Sequence, residues 1–412
     1  MIIQRPELTD RIEGLGKWTL VYGRRKTGKT FLLREFIPYD EYFFVKGDRT
    51  ILAEREDKME NMVYDVFTEA IQRELENGKT LVVDEFHRLG EDFFDLLHSM
   101  RKNGRLILVS STLSLSKKLL EENSPLMGLF AEISVPIIDL SNSLDTLEYH
   151  EPEKYSKKDQ MELAMILREP ITVEYADKKE SSREVLVDVL QNSLKTIPTL
   201  VGEIFREEER QLSATYEGIL RAVATGYTSS GEIADYLFSH KLIDRNDPSL
   251  VQQYLTNMIS FGVLKKIRIH NKNKNRYAHS SPLFHLYYYA DEQYNISERN
   301  PSREEMRRIA DEMLPHLIED TVREYLAEKE GLKESIIETP EYDVDICLLR
   351  FKEPEMVVEV KWKEEIKQSD IKRAEKVLTQ IEANERYLFV PDKEQVESDI
   401  LEVMDVTDLQ EK

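Results

Sequence analysis

Between Gly23 and Thr30 the chain runs Gly-Arg-Arg-Lys-Thr-Gly-Lys-Thr, which matches the phosphate loop G-x-x-x-x-G-K-[ST] in full. Its chemistry is the holding of a polyphosphate. Gly23 and Gly28 let the backbone N–H groups of Arg24, Arg25, Lys26 and Thr27 wrap a β-phosphate at a helix N-terminus. Lys29 reaches the β and γ phosphates, and Thr30 offers its hydroxyl to Mg²⁺. A second set lies downstream, where Thr80-Leu-Val-Val-Asp84-Glu85 is an apolar run ending in two acids. Asp84 is suited to holding the ion through its water shell, and Glu85 to polarising an attacking water as general base. A third set is C-terminal: Asp345 in Tyr342-Asp-Val-Asp-Ile, then Glu359-Val360-Lys361 after Met356-Val-Val. Strand alternation puts Glu359 and Lys361 on one face, so a divalent ion held by Asp345 and Glu359 would lie beside the Lys361 ammonium. Two carboxylates suit Mg²⁺ or Mn²⁺, and the lack of Cys or His clustered in the sequence points away from zinc.

These side chains need a frame. Trp18 to Tyr22 has a strand composition, breaks at Gly23, and resumes as a helical pattern from Phe31, giving strand, loop, helix. Further strands are expected at Glu41–Lys46, Thr80–Val83 and Arg105–Ser110, with helical segments around Leu52–Glu76 and Asp92–Lys102. That alternation predicts an α/β core at 1–140 with a mostly parallel sheet covered on both faces. Ser110-Ser111-Thr112 follows the Leu106–Val109 strand. If that strand lies beside the Asp84 strand, these hydroxyls are placed to sense a γ-phosphate; a capped loop is an equal alternative.

From 141 to 215 the pattern changes to short amphipathic helices punctuated by Pro152, Pro170 and Pro198, a helical lid. From 216 to 297 the order is helix, turn, helix, helix, ribbon, the arrangement of a winged helix. The wing, Lys265 to Arg276, is densely basic and suited to phosphate contacts with DNA; a solvated ribbon is an equal alternative. Its recognition-helix candidate has no Lys or Arg between Pro248 and Ser260, so base reading is poor. The last block, 298–412, opens with a long helix, Arg303 to Glu328. Strands follow at Ser335–Glu338, Tyr342–Arg350 and Met356–Trp362, then a helix at Ser369–Ile381 and a strand at Arg386–Val390.

Composition sets limits on this reading. At 412 residues the chain favours two to four domains. With 57 basic and 79 acidic residues its charge is -22, which argues against coating nucleic acid over the whole surface. Hydrophobic residues at 41% exclude disorder as the main state. The absence of a long uncharged apolar window or a leader pattern gives a cytoplasmic expectation without membrane contact. Cys347, the single cysteine, has no partner for an internal disulfide and no framework for a structural zinc. His87 is expected to cap or pack, with contact to the nucleotide as the alternative, and Tyr287-Tyr288-Tyr289 to pack in a core or an interface, with base stacking as the alternative.

With these residues in view, the chain resembles the archaeal and bacterial AAA-type ATPases related to the STAND class, which often carry a C-terminal nuclease-like domain. The likeness rests on Arg5-Pro6-Glu7-Leu8, the phosphate loop with its Arg24-Arg25 pair, Val83-Asp84-Glu85-Phe86, Leu108 to Thr112, and Tyr216-Glu-Gly-Ile-Leu220. It implies ATP with Mg²⁺ as cofactors, ATP hydrolysis, and assembly with copies of itself or a protein partner. Asp345 and Glu359-x-Lys361 resemble the PD-(D/E)XK nuclease layout, an α+β restriction-endonuclease-like fold. Glu319, in His316-Leu-Ile-Glu-Asp320, looks like the helical acid before that core, with Glu324 as a substitute. The implied activity is DNA cleavage with Mg²⁺ or Mn²⁺; the alternative is a nucleotide-driven switch whose inactive nuclease fold binds a partner. Where this family commonly has Pro-Leu-x-Gly-Arg, the chain has Pro125-Leu-Met-Gly-Leu129, so an arginine finger would come from elsewhere.

Overall fold

The computed structural model describes residues 1–16, 18–55, 58–113, 128–150, 154–176, 181–208, 210–299 and 301–410. Residues 125–127 of the segment before Leu129, and Pro152, lie outside them.

The first sheet contains β1 (Thr19–Tyr22), β2 (Glu41–Val45), β3 (Ile51–Arg55), β4 (Lys58–Met62), β5 (Thr80–Asp84), β6 (Arg105–Ser110) and β7 (Ala131–Ser134). Their order is β4-β3-β2-β5-β6-β1-β7, with β2, β5, β6, β1 and β7 mutually parallel. The near-continuous apolar runs follow from burial on both faces. Leu81, Val83, Leu106 and Leu108 join Trp18 and Phe67 on one face, while Val82, Ile107 and Val109 join Leu32 and Leu33 on the other. One expectation is corrected. The helix begins only at Tyr64, and Ile51 to Met62 is instead an antiparallel hairpin added to β2. Ile51 and Ala53 are buried at alternate positions while β4 is largely exposed, a period-two edge that offers no helical stripe.

Helices Leu140–His150, Lys157–Leu167, Ser182–Asn192 and Thr196–Glu207 form a block beside this sheet. Helices Ala214–Ala224, Ser230–Ser239 and Pro248–Ser260 follow, then β8 (Leu264–Ile269) and β9 (Asn275–His279). Ser229 and Glu232 close a capping box at the second of these helices. After the helix Pro282–Tyr294 comes the long helix Arg303–Lys329, also opened by a capping box, Ser302 with Glu305.

The second sheet adds β10 (Lys333–Glu338), β11 (Asp343–Arg350), β12 (Glu353–Val360), β13 (Glu385–Phe389) and β14 (Glu402–Met404). Its order, β14-β13-β12-β11-β10-β8-β9, takes in the β8–β9 hairpin: Arg268 pairs with Ser335 and Ile269 with Ile336. The segment read from the sequence as a wing is therefore continuous with the C-terminal sheet. One hydrophobic core runs without a break from the helical block through the three helices to the inner face of that sheet. Cys347 lies buried, which raises its thiol to about 11. Tyr288 is buried and Tyr287 donates to the Leu194 carbonyl, so this pair packs in the core. No helix among the described residues is long and apolar enough to cross a membrane.

Candidate functional site

The phosphate loop connects β1 to the helix Lys29–Phe36, and close contacts explain its glycines. A Cβ on Gly23 would stand 2.2 Å from the Val135 carbonyl oxygen, so only glycine fits. Gly28 has φ +88 at the helix start, a left-handed conformation that glycine takes without strain. Lys29 Nζ donates to the carbonyls of Gly23 at 2.8 Å and Arg24 at 2.9 Å, so the ammonium lies within the turn of the loop. Burial pulls its pKa down to about 8 against the opposing pull of Glu85 and Asp84. Thr27 Oγ1 caps the Arg24 carbonyl at 3.0 Å, and Lys26 adopts a positive φ of 65.

Asp84 sits at the end of β5, held in register by Val109 on one side and Phe44 on the other. Its Oδ2 accepts from Thr30 Oγ1 at 2.7 Å and from the Tyr42 hydroxyl at 2.5 Å. The hydroxyl and carboxylate that the sequence assigns to one ion are thus in contact. Glu85 follows with φ 57, a left-handed turn that swings its side chain toward β6. There Ser111 Oγ donates to it at 3.0 Å. Arg88 Nη2 lies 3.3 Å away and His87 Nε2 3.4 Å. Burial, then the neighbouring Asp84 charge, raises the Glu85 pKa. Burial lowers His87 to about 4, so it is neutral at pH 7.

β6 does lie beside β5, but its hydroxyls serve other groups. Ser110 Oγ meets His87 Nδ1 at 3.3 Å, and Ser111 holds Glu85. His87 and Arg88 therefore join the site; for His87 this is the second of the two sequence readings, and Arg88 is not singled out by the sequence. Leu129 packs against the sheet core and its carbonyl accepts from Lys102 at 2.7 Å.

The loop arginines point into the helical block. Arg24 Nη2 lies 2.6 Å from Glu169 Oε1, while Arg25 pairs with Glu203 at 2.7 Å and also with Glu207. Arg24 also stacks over Phe284, 4.8 Å from the ring centroid. Arg24 Nη1 is buried without a hydrogen-bond partner. A buried guanidinium N–H with no acceptor beside a phosphate loop fits an anionic ligand, and the Thr30–Asp84 pair fits its magnesium ion.

The C-terminal acids also converge. Asp345 on β11 and Glu359 on β12 lie one step beyond the Ile346–Val358 cross-strand pair, and Asp345 Oδ2 accepts from the Val360 N–H at 2.9 Å. Lys361 Nζ reaches Glu359 Oε1 at 2.5 Å. Burial, then the charges of Glu319 and Glu359, push the Asp345 carboxyl up to about 8. Glu319 thus faces the pair from the long helix. Glu359 Oε2 is buried and unpartnered. These oxygen donors fit a hard divalent ion. Asp343 is exposed, as an outward neighbour should be. Glu324 is engaged elsewhere, bridging Arg168 and Lys265 at 2.5 Å each, and those cations hold it at about 2 against burial.

Lys265 is thereby tied into the protein. Lys266, Arg268, Lys272 and Lys274 instead line an open cleft of about 720 Å³ together with Lys333.

Residues 16–143 match the AAA domain family. This region is an AAA-type P-loop ATPase domain. No curated protein matches the chain. Among solved structures it is similar to a Walker-type ATPase of Pyrococcus abyssi, with 21% identity and a TM-score of 0.48 over 70% of this chain and 96% of that one. It is also similar to the ORC2 protein of Aeropyrum pernix, with 13% identity and a TM-score of 0.39 over 78% and 95%. A STAND protein with a tetratricopeptide repeat sensor from Pyrococcus horikoshii gives 13% identity and a TM-score of 0.30 over 79% and 51%.

Proposed function

We propose that the chain hydrolyses ATP at Lys29, Thr30, Asp84 and Glu85, and that this cycle is coupled to a metal-dependent, DNA-acting nuclease-like site at Glu319, Asp345, Glu359 and Lys361. The observation that carries the reading is the helix Lys157–Leu167. Just past its end Glu169 meets Arg24 of the phosphate loop, and from its middle Glu162 accepts from Trp362 Nε1, the neighbour of Lys361, at 2.8 Å. The helix and the turn after it thus meet the phosphate loop and the residue that follows Lys361.

At the first centre the amides of residues 24–28 and Lys29 hold the phosphates, and Thr30 and Asp84 hold Mg²⁺. The ion, when bound, neutralises charge on the phosphate oxygens. Glu85 orients the attacking water and takes its proton, a role served by a carboxylate whose pKa is raised. Ser111 and Arg88 fix its direction, and neutral His87 adds no second cation beside it. Arg88 supplies in the same chain a positive charge near the site where Leu129 supplies none.

At the second centre Asp345 and Glu359, with Glu319 opposite, would hold Mg²⁺ or Mn²⁺, which when bound would lower the pKa of a water. Lys361 would position that water and face the developing charge. DNA phosphates lie along Lys266, Arg268, Lys272 and Lys274. The reading divides the chain into an ATPase core at 1–140, a lid at 141–215, a winged helix at 216–297 and a nuclease-like block at 298–412, working in the cytoplasm alone, with copies of itself or with a protein partner.

The second reading is a nucleotide-driven switch whose C-terminal block binds a partner and cuts nothing. It is favoured by one contact, the Lys361 ammonium held by Glu359. Incubating linear, circular and single-stranded DNA with Mg²⁺ or Mn²⁺, with and without ATP, separates the two. Cleavage by the native chain that Lys361→Ala abolishes, with ATP hydrolysis retained, supports the first. No cleavage with either metal supports the switch.

A further inference from the structure

Far apart in the sequence, His285 and the pair His316 and Asp320 meet in space. His285 is buried on the helix Pro282–Tyr294, and the other two stand one turn apart on the long helix. One ligand atom from each lies within 4.8 Å of the others. We propose that this trio is a binding site for a transition-metal ion, with Zn²⁺ as the occupant its chemistry fits.

Three features of the geometry support an ion rather than simple packing. The His285 and His316 rings stand 5.3 Å apart at 81°, so they converge without stacking. His316 Nε2 and Asp320 Oδ2 face each other at 4.0 Å, beyond hydrogen-bond length. Tetrahedral zinc ligands at about 2.0–2.1 Å from the ion sit about 3.4 Å apart, so separations that reach 4.8 Å close by up to about 1.4 Å to admit one. Both rings are also oriented from behind. His316 Nδ1 bonds Glu319 Oε2 at 3.2 Å, and a ring nitrogen of His285 bonds the Ala224 carbonyl. That outer support is the arrangement found behind metal-ligating histidines.

The charges around the trio allow it. Arg323 is met by Asp320 Oδ1 and by Glu334 at 3.4 Å, leaving Asp320 Oδ2 toward the histidines, and Arg276, which borders the same cavity, is met by Glu338 at 3.4 Å. A cavity of about 60 Å³ borders His285, His316 and Asp320, room for a water as a further ligand. Two imidazoles and one carboxylate select zinc and its first-row neighbours over Mg²⁺. The trio shares no ligand with Asp345, Glu359 or Lys361; Glu319, which holds His316 from behind, is the residue common to it and the nuclease reading.

The test titrates the chelator-treated full chain with Co²⁺, followed by visible absorption, and then displaces it with Zn²⁺. The native chain takes up one equivalent with a nitrogen-ligand spectrum that Zn²⁺ removes and Mg²⁺ does not. His316→Gln, at a partly exposed ring whose folding is checked by circular dichroism, weakens Co²⁺ binding at least about tenfold. The double variant Asp345→Asn with Glu359→Gln keeps the signal. The proposal is overturned if the native chain gives no such spectrum, if the spectrum survives His316→Gln, or if it disappears in the Asp345 and Glu359 variant.

Discussion

Arg24 and Glu169 form a buried ion pair of 2.6 Å, with side-chain exposures of 5% and 1%, between the phosphate loop and the turn after the helix Lys157–Leu167. The pair makes the loop a structural partner of the helical block, and the same guanidinium keeps one buried N–H unmatched. Removing one charge from such a pair strands the other. Glu169→Gln is expected to lower unfolding stability by about 3 to 5 kcal/mol. A non-hydrolysable ATP analogue should recover more stability in this variant than in the native chain, because the freed guanidinium gains an anion. Urea unfolding with and without the analogue checks both parts, and an equal gain in the two proteins would separate Arg24 from the phosphates.

Lys29 sets a pH limit on nucleotide binding. With its pKa lowered to about 8, the ammonium needed for the β and γ phosphates is lost above that pH in the free protein. ATP affinity should then weaken by up to about tenfold per pH unit above 8. Lys29→Ala should bind ATP poorly at all pH values and show no such slope. Calorimetric titrations between pH 7 and about 9.5 measure it.

Not every lysine between Lys265 and Arg276 is free to meet DNA. Lys265 holds Glu324 and Glu334, so its removal is a stability lesion rather than a test of DNA binding. Neutralising Lys266, Lys272 and Lys274 together should weaken duplex binding and reduce the log-log salt slope by up to about 2.7, from about 0.9 per phosphate contact. An unchanged slope places DNA elsewhere.

At the C-terminal acids, the native carboxyl of Asp345 titrates near 8 against about 3.9 when unfolded. Between those values the folded state binds the extra proton, so this group's contribution to stability is lost as pH rises through 8. In chelator, Asp345→Asn should therefore gain on the order of 1 to 3 kcal/mol at pH 8 and little at pH 4. Adding Mg²⁺ or Mn²⁺ should stabilise the native chain and not the variant. Thermal melts across pH with and without metal decide it.

What the sequence showed was local. Gly23 to Thr30 and the strand ending in Asp84-Glu85 announce themselves within a few residues, because a loop, a helix start and an apolar run each have a short pattern. The hairpin from Ile51 to Met62 did not, since its charged edge strand lacks an apolar alternation. The partners of the loop arginines were out of reach: Glu169 stands 145 positions from Arg24. His87 and Ser111 join Glu85 only because β6 packs beside β5 and Glu85 turns left-handed. The continuity of the wing with β10 likewise depends on a pairing across the Pro282–Lys329 helices, which no local pattern encodes.

The central claim is that Glu85 activates water at a site where Lys29 and Thr30 hold Mg²⁺·ATP. Steady-state ATP hydrolysis by the native chain and by Glu85→Gln, with nucleotide affinity measured on the same samples, tests it most directly. The account predicts a fall in turnover of about 10²- to 10⁴-fold with affinity unchanged within about twofold. Native-like turnover in Glu85→Gln, or a loss of binding that matches the loss of turnover, would contradict it.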